Sequence, residues 1–368
     1  MPDELANAYP ALTAGQPWAL FGATGVTGRL VLERALARGH RPRLIGRDRT
    51  RLAALASGHG LEVIEAQLDD RQLDGSEGLI AALADQRLVL NVAGPFARTA
   101  APLIAAALAA GVDYVDCNGE LPALEQLLAM DQAARAAGVA LVGAAGFGVA
   151  ASDGLALQVS QALGGADWLR VGVAADSAFS SPAVGESTLA ILAGGGREIA
   201  GGALVSRRLA RRRWRGAGAA APAFASAPLA ELAAVRHVTG VRDCVAGVPM
   251  PAAQAIPLSL IAPLLPWLLR LPPVRRAMAG AGGHAGAAGP GHTHTSRVWV
   301  EGGRGAQRAT GLLEGGEGYA LAADIAVRAV EAMLAGPVAR GAHTPASAFG
   351  AGFVGTADGV RISITAAP

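Results

Sequence analysis

The first 155 residues alternate short apolar runs with longer amphipathic segments. The apolar runs predict buried strands over residues 18–21, 43–45, 61–65, 88–91, 114–116 and 140–142. The segments between them carry apolar residues at helical spacing and predict helices over 26–38, 49–57, 76–84, 99–110 and 121–137. Strands that alternate with helices in this way are typical of a parallel, doubly wound sheet. We therefore expect an α/β fold that opens with a Rossmann-type domain over residues 1–155.

The pattern changes after residue 155 and predicts a second, mixed α/β domain with an antiparallel sheet. Strands are predicted over 169–174, 298–300, 309–313 and 361–365, and helices over 187–200 and 319–335. We expect residues 156–318 to form a substrate or dimerisation domain. Residues 319–368 should then pack back toward the Rossmann domain. The Gly/Ala-rich residues 279–292 predict a loop.

A glycine-rich turn lies between the first strand and the first helix, where a nucleotide phosphate would bind. A helix N-terminus offers free N–H groups and the positive end of its dipole, and glycine lets a pyrophosphate approach the backbone. The spacing is Gly-x-x-Gly-x-x-Gly rather than Gly-x-Gly-x-x-Gly, and an ordinary tight turn is the alternative. The residues of this predicted site are Gly22, Ala23, Thr24, Gly25, Val26, Thr27 and Gly28.

Arginine follows the second strand, where an acidic residue would bind the ribose hydroxyl of NAD. Gly46 is followed by Arg47, and Arg51 lies one helical turn further on. Because a guanidinium pairs in bidentate fashion with a 2′-phosphate, this pattern favours NADP. The neighbouring Asp48 leaves NAD open. Asp69, just past the third strand, is a candidate adenine contact or a surface turn.

Composition narrows the chemistry further. All 31 basic residues are arginine, which excludes a Schiff-base lysine, a Walker-A lysine and a Tyr-Lys proton relay. The formal net charge of +2 argues against a nucleic-acid partner. The two cysteines are far apart and no signal pattern opens the chain, so we expect a cytoplasmic protein.

Several motifs in chain order resemble the saccharopine dehydrogenase-like oxidoreductases, a family that includes trans-acting enoyl reductases. The motifs are residues 22–29, 45–47, 91–96, 111–120, 146–153 and 344–350. The resemblance implies NADP binding and hydride transfer. It also implies that the loop after the fourth strand lines the nicotinamide-ribose side of the cofactor, although a plain strand-to-helix turn is the alternative. The residues of that loop are Asn91, Ala93, Gly94 and Pro95.

Hydride transfer needs a proton source beside the nicotinamide. Tyr114, Asp116 and Glu120 lie at the carboxyl end of the fifth strand, and the first two share one face of it. They are the candidate catalytic residues; capping a helix start is the alternative for Asp116 and Glu120. Ser152 and Asp153 are expected to cap the next helix. His292 and His294 lack further ligands at suitable spacing, so no metal site is expected.

Two segments bear on the substrate. Residues 256–271 are almost wholly apolar and are too short to span a bilayer, and residues 207–215 contain the main arginine cluster. Our primary hypothesis is NADPH-dependent reduction of the C=C bond of a lipophilic or carrier-bound enoyl substrate. The alternatives are chemistry at a C–N bond and a non-catalytic NADP-binding scaffold. The expected partners are a small-molecule or acyl-type substrate, an acidic carrier protein or a membrane surface bound peripherally, and a second copy in a homodimer.

Overall fold

The computed structural model describes residues 13–68, 77–176, 194–217, 221–268 and 294–367. These residues fall into two compact units. Unit 1 comprises the described parts of Met1–Asn118, Pro122–Ala150 and Tyr319–Asp358. Unit 2 comprises those of Gly119–Leu121, Ala151–Gly318 and Gly359–Pro368. The chain therefore enters each unit more than once. The domain boundaries expected at 155/156 and 318/319 stay predictions.

Unit 1 is built on a parallel sheet whose described strands lie in the order β15-β6-β5-β4-β1-β2-β3. This order contains the 3-2-1-4-5-6 arrangement of dinucleotide-binding folds, which confirms the expected Rossmann-type sheet. Its strands are β1 (Trp18–Phe21), β2 (Arg43–Gly46), β3 (Val63–Glu65), β4 (Leu88–Asn91), β5 (Asp113–Asp116), β6 (Ala140–Val142) and β15 (Gly341–His343).

Helices connect these strands and bury them. They are α1 (Val26–Ala37), α2 (Arg49–Ala56), α3 (Glu77–Leu83), α4 (Phe96–Ala110), α5 (Leu121–Ala129), α6 (Asp131–Ala137), α11 (Gly318–Ala335) and α12 (Pro345–Phe349). A short 3₁₀ helix spans Phe353–Thr356. The helix expected over 121–137 is divided into α5 and α6 at Met130. The strands β1 and β4 are buried along their whole length, as a sheet covered on both faces requires.

Ion pairs fix α1 against α11. Arg38 donates two hydrogen bonds of 2.7 Å to the two carboxylate oxygens of Glu331, which also contacts the buried His40 ring. Although burial raises the pKa of Glu331, the hydrogen bonds from His40 and Arg38 lower it below its ordinary value. Arg34 Nε donates a hydrogen bond of 2.7 Å to Asp324 Oδ1. These contacts hold the helix that follows the glycine-rich turn.

Unit 2 contains a mixed sheet in the order β10-β11-β12-β7-β13-β14-β16, with β8 paired to β12 and β9. Its strands are β7 (Trp168–Ala174), β8 (Gly196–Ala200), β9 (Ala203–Arg207), β10 (Arg213–Arg215), β11 (Ala223–Ser226), β12 (Asp243–Pro249), β13 (Ser296–Arg304), β14 (Gln307–Gly315) and β16 (Arg361–Ala367). Its helices are α8 (Glu231–Thr239), α9 (Ala252–Ile261) and α10 (Leu265–Leu268), with a 3₁₀ turn at Ala262–Leu264. The helix α7 (Phe147–Ala162) has residues in both units. The expected antiparallel pair is present as β13 and β14.

Several expectations need correction. The helix expected over 187–200 is wrong over its last residues, because Gly196–Ala200 is strand β8 and pairs with β9. The strand expected at 361–365 is present as β16, but it pairs with β14 in the sheet of unit 2, whereas we expected this segment to pack toward the Rossmann domain. Residues 279–292, including His292, and Asp69 lie outside the described residues. Within the described ranges, no helix is long and apolar enough to cross a membrane.

Candidate nucleotide-binding and active site

The strand register brings the predicted site residues to one edge of the sheet in unit 1. Phe21 at the end of β1 lies opposite Asn91 at the end of β4, and Asn91 lies opposite Asp116 at the end of β5. On the other side, Phe21 lies opposite Ile45 of β2. The loops after these four strands therefore emerge side by side at the carboxyl edge, where open α/β sheets bind ligands.

Gly22 and Gly28 are required by the packing of the turn itself. Gly22 has a φ of +96°, and a Cβ there would lie 2.8 Å from both the Cβ and the backbone nitrogen of Ala93. A Cβ on Gly28 would overlap the carbonyl oxygen of Gly22. The first glycine thus allows β1 to turn beside the β4 loop, and the last lets α1 pack tightly against the strand end.

Neither the packing of the turn nor its backbone conformation requires glycine at position 25. Its φ is −77°, and the nearest atom to an added Cβ would be the Gly22 carbonyl oxygen at an ordinary 3.5 Å. Gly25 is exposed at the N-cap of α1, and no side chain caps that helix end. An uncapped N-terminus beside an open glycine leaves room for the oxygens of a pyrophosphate.

One of the arginines after β2, Arg51, lies next to this turn. The Arg51 guanidinium Nη2 is 3.4 Å from the carbonyl oxygen of Thr24, and its backbone N–H donates to the Asp48 carboxylate at 3.0 Å. Asp48 therefore caps α2. This capping role explains why an acidic residue follows β2, the observation that had kept NAD as an alternative cofactor. Arg47 is exposed, and its side chain makes no ion pair or hydrogen bond with the described residues. One cation, Arg51, thus borders the turn, and Arg47 directly follows β2 at the same edge of the sheet.

The loop after β4 is held by its own side chains. The Asn91 Oδ1 accepts a hydrogen bond of 3.0 Å from the backbone N–H of Ala93, and the Thr99 hydroxyl donates to the Ala93 carbonyl. The Gly94–Pro95 peptide bond is cis, and Phe96 begins α4. These bonds hold Ala93 beside Gly22, and the expected contact of this loop with the cofactor stays a prediction.

Tyr114 and Asp116 are brought together, but inside the protein. The Tyr114 hydroxyl donates to Asp116 Oδ2 at 2.9 Å and accepts from Asn91 Nδ2 at 3.0 Å. The other carboxylate oxygen of Asp116 accepts from the backbone N–H groups of Asn118 and Ala144, at 3.0 and 2.6 Å. All three side chains of this network are fully buried. The network ties the loops after β4, β5 and β6 together.

The electrostatics of the network do not favour proton release from Tyr114. Burial, and next the charge of Asp116, raises the pKa of the Tyr114 hydroxyl well above its ordinary value. The same two causes raise the pKa of the adjacent Cys117 thiol, so it is not an activated nucleophile. These side chains are therefore arranged to hold backbone in place.

Ala144 is a member of this network that the sequence analysis missed. It has a φ of +65°, a conformation that costs a residue with a Cβ about 1–2 kcal/mol. Its N–H bond to Asp116 and the bond of 2.6 Å from the Ala145 N–H to the Asp116 carbonyl hold the turn. Nothing in a local run of Gly and Ala predicts this conformation, because alanine seldom adopts it.

The other residues singled out in the sequence do not belong to the network of Asn91, Tyr114 and Asp116. Glu120 precedes α5, is largely buried, and belongs to the part of unit 2 formed by Gly119–Leu121; its backbone forms an antiparallel bridge with Leu229. Ser152 and Asp153 do not cap a helix, because α7 already begins at Phe147. His294 contacts Asp176 at 2.9 Å. The described residues contain no cluster that fits a metal ion.

Comparisons with known proteins find a matching domain family and several similar proteins. Residues 18–142 match the family model of the saccharopine dehydrogenase NADP-binding domain. A trans-acting enoyl reductase of Mycobacterium tuberculosis is 36% identical over 104 residues, which are 28% of this chain and 25% of that protein. The Mycobacterium leprae trans-acting enoyl reductase is 32% identical over 137 residues, 36% of this chain and 33% of that protein.

The whole chain also resembles a solved structure. Apo saccharopine dehydrogenase (L-Glu forming) from Saccharomyces cerevisiae superposes with a TM-score of 0.63, covering 96% of this chain and 100% of that chain at 13% identity. This likeness supports the two-part α/β fold.

The matches define a class of domain: a Rossmann-type NADP-binding domain over residues 18–142. Their match to the model of the saccharopine dehydrogenase NADP-binding domain confirms the resemblance and the expected cofactor. The chain matches only a quarter to a third of the length of the curated relatives.

Proposed function

We propose that this protein uses NADPH to reduce the C=C bond of a lipophilic or carrier-bound enoyl-type substrate. The observation that carries the cofactor assignment is the turn at residues 22–28, where Gly25 and an uncapped helix end are left open beside Arg51. The substrate class rests on the matched segments of the two mycobacterial trans-acting enoyl reductases.

The residues of unit 1 have distinct roles in this proposal. The N–H groups at the start of α1 bind the pyrophosphate, and Arg47 and Arg51 bind the 2′-phosphate. The segment from Asn91 to Pro95 borders the nicotinamide ribose. When bound, the nicotinamide supplies the hydride. Gly46, beside the Arg47 backbone, completes the adenosine side of the site.

Of the three candidates for proton delivery, we propose Glu120, which lies in the chain between β5 and α5. Tyr114 and Asp116 then act as positioning residues, because their polar atoms are committed to Asn91, Asn118 and Ala144. Replacing Glu120 by Gln would remove the titratable group while keeping its size. We expect kcat to fall by about 10²–10⁴-fold with NADPH binding retained. An unchanged kcat would contradict the assignment.

Chemistry at a C–N bond is the second candidate, because the matching domain family is named for saccharopine dehydrogenase. The two functions are separated by presenting NADPH-loaded protein with enoyl thioesters and with cyclic imines, and following the loss of reduced-nicotinamide absorbance. Turnover of the thioesters alone supports the proposal, and turnover of the imines alone overturns it. Tight NADPH binding without turnover of either substrate would favour the non-catalytic scaffold.

A direct test of the cofactor assignment uses Arg47→Asp. We expect selective loss of NADPH binding with NADH binding retained or improved, measured by titration of nicotinamide fluorescence. Equal loss of both cofactors would place Arg47 outside the 2′-phosphate site.

A carrier-bound substrate implies an acidic carrier protein as a partner. The homodimer stays a prediction that sedimentation can test.

A further inference from the structure

Unit 2 exposes a stripe of large apolar side chains that is unusual on a protein surface. Along α9, the 3₁₀ turn and α10, the exposed fractions lie between 46% and 65%. Because four of the positions follow one another at intervals of three or four residues, they lie on one side of the helical segment. No charged residue occurs between Pro251 and Leu268. The stripe consists of Ile256, Leu260, Ile261, Leu264 and Trp267.

The opposite side of this segment packs onto the arginine-rich chain. Ala262 and Leu265 form a buried cluster with Leu209, and Ala255 packs with Ala210. The arginines flank Leu209 and Ala210 in sequence, so burial of these two apolar residues fixes the basic segment directly against α9. The apolar stripe and the basic segment therefore form one continuous part of unit 2.

A basic cavity of about 690 Å³ opens at this junction. It is lined by Ser206, Arg207, Arg208, Arg211, Arg213 and Ser259. Ser259 belongs to α9 itself, is largely buried, and brings the helix into the cavity wall.

The described residues neutralise only part of the charge of this cavity. The buried Glu198 pairs with Arg207 and Arg212. The exposed side chains of Arg208, Arg211 and Arg213 make no ion pair or hydrogen bond with any described residue. Three unpaired guanidinium groups beside two serines are suited to bind phosphate oxygens.

We propose that this surface, which we call the docking surface, binds the face of an anionic lipid bilayer. Lipid phosphates enter the arginine-lined cavity, while Leu260, Leu264 and Trp267 insert among the acyl chains. A helical segment with exposed leucine and tryptophan on one side and arginine at its border is the combination that lies in a membrane interface. Tryptophan is also the residue enriched at the boundary between headgroups and hydrocarbon.

Other occupants fit the surface less well. In a symmetric dimer through this patch, the unpaired arginines of both copies would meet and repel one another. An acidic protein would pair with the arginines, but carboxylates would not cover an uncharged stripe whose side chains are 46–65% exposed. A bilayer of anionic lipid provides both phosphate and hydrocarbon.

Flotation of the full-length protein with vesicles tests the proposal. The vesicles contain either phosphatidylcholine alone or phosphatidylcholine with about one third phosphatidylglycerol, at about 0.15 M salt. We expect binding to the anionic vesicles, loss of most binding at high salt, and a blue shift of tryptophan emission that Trp267→Phe removes. Absence of binding to anionic vesicles would overturn the proposal.

Paired variants locate the contact. Arg208→Gln with Arg211→Gln should weaken the partition coefficient about thirtyfold, the effect expected of two charges near an anionic surface. Leu260→Ser with Leu264→Ser should weaken it at least about tenfold. The matched controls are Arg242→Gln and Ile364→Ser, exposed residues of unit 2 outside the docking surface. The carbonyl oxygen of Arg242 accepts a hydrogen bond from the Gly202 N–H, just before the start of β9. Arg207, which lines the cavity, is at the other end of the same strand.

Further outcomes would identify a different occupant. Sedimentation that shows a dimer converted to a monomer by the leucine variants would assign the surface to a second copy. Binding of a lipid-free acidic acyl carrier protein, lost in the arginine variants, in the absence of vesicle binding would assign it to that carrier. Equal vesicle binding by the arginine variants, the leucine variants and both controls would also overturn the proposal. Cofactor binding and turnover are measured separately, since the docking surface contains none of the residues assigned to them.

Discussion

The Tyr114 hydroxyl donates a hydrogen bond to Asp116 Oδ2 across 2.9 Å, at a point in the sheet where neither side chain meets solvent. The two residues are neighbours on one face of β5, as their spacing predicts. With Asn91 they form a buried polar network in which each member binds another. Such a network determines the position of the backbone around it, since each lost partner leaves a buried polar atom unsatisfied.

Tyr114→Phe should therefore affect stability more than chemistry. Removing the hydroxyl deprives Asn91 Nδ2 and Asp116 Oδ2 of this partner, so we expect the free energy of unfolding to fall by about 1–3 kcal/mol. Denaturant unfolding of the cofactor-free protein measures this. If Tyr114 only positions the loops, kcat should fall less than about tenfold and its pH profile should keep its shape. A loss of about 10²–10⁴-fold, with one limb of the profile missing, would make Tyr114 the proton donor instead.

Gly25→Ala should lower the affinity for the cofactor without changing the stability of the fold. An added Cβ meets no close protein atom, and φ is negative, so thermal stability should change by less than about 0.5 kcal/mol. Affinity for NADPH should nevertheless fall about tenfold or more, because the Cβ would point to the space assigned to the pyrophosphate. The control is Gly28→Ala, whose Cβ overlaps the Gly22 carbonyl and should destabilise the protein. Unchanged NADPH affinity in Gly25→Ala would place the pyrophosphate elsewhere.

Arg51→Gln should change cofactor preference. The guanidinium lies beside Thr24 of the turn, and a charge-assisted bond to a phosphate contributes about 1.5–3 kcal/mol. We expect NADPH affinity to fall about 10–100-fold while NADH affinity stays within about twofold, measured by isothermal titration. Arg49→Gln is the matched control, since Arg49 is an exposed arginine two residues away at the start of α2. Equal losses of NADPH affinity in the two variants would mean that only the general surface charge matters, and not the position of Arg51.

The Rossmann-type sheet was predictable because its signals are local. Each of the strands β1 to β6 contains a short apolar run, and the alternation with helices determines the parallel topology. The strand β15 (Gly341–His343) has no such run and was not predicted. The phosphate-binding turn was predictable for the same reason, since Gly22, Gly25 and Gly28 lie within seven residues. The separate requirements for these glycines emerge only from atoms distant in sequence, such as Ala93.

Unit 2 was harder to predict because its elements depend on partners far away in the chain. The strand β8 has little apolar alternation and is stabilised by β9 and β12, so a helix was expected there instead. The strands β11 and β12 and the helix α8 were missed for similar reasons. The burial of Tyr114 and the conformation of Ala144 were equally inaccessible, because both depend on the packing of loops from three strands.

Glu231→Gln should reveal a buried carboxyl group through the pH dependence of stability. Glu231 is the first residue of α8 and is 5% exposed; burial raises its pKa from an ordinary 4.5 to about 7. Between these two values the folded state binds more protons than the unfolded state, so this group lowers the free energy of unfolding as the pH rises. The decrease in the free energy of unfolding should reach at most about 3 kcal/mol. It should be complete above the pKa of Glu231 in the folded protein.

Gln resembles the protonated carboxyl but does not titrate. The two proteins should therefore be equally stable near pH 4, and the Gln variant should become the more stable one as the pH rises toward 8, measured by denaturant unfolding at each pH. Glu77→Gln is the matched control, because Glu77 is also the first residue of its helix but is exposed. If the wild-type protein and the Glu231→Gln variant keep a constant difference in unfolding free energy across this range, Glu231 is ionised in the folded protein and its burial is compensated by a partner.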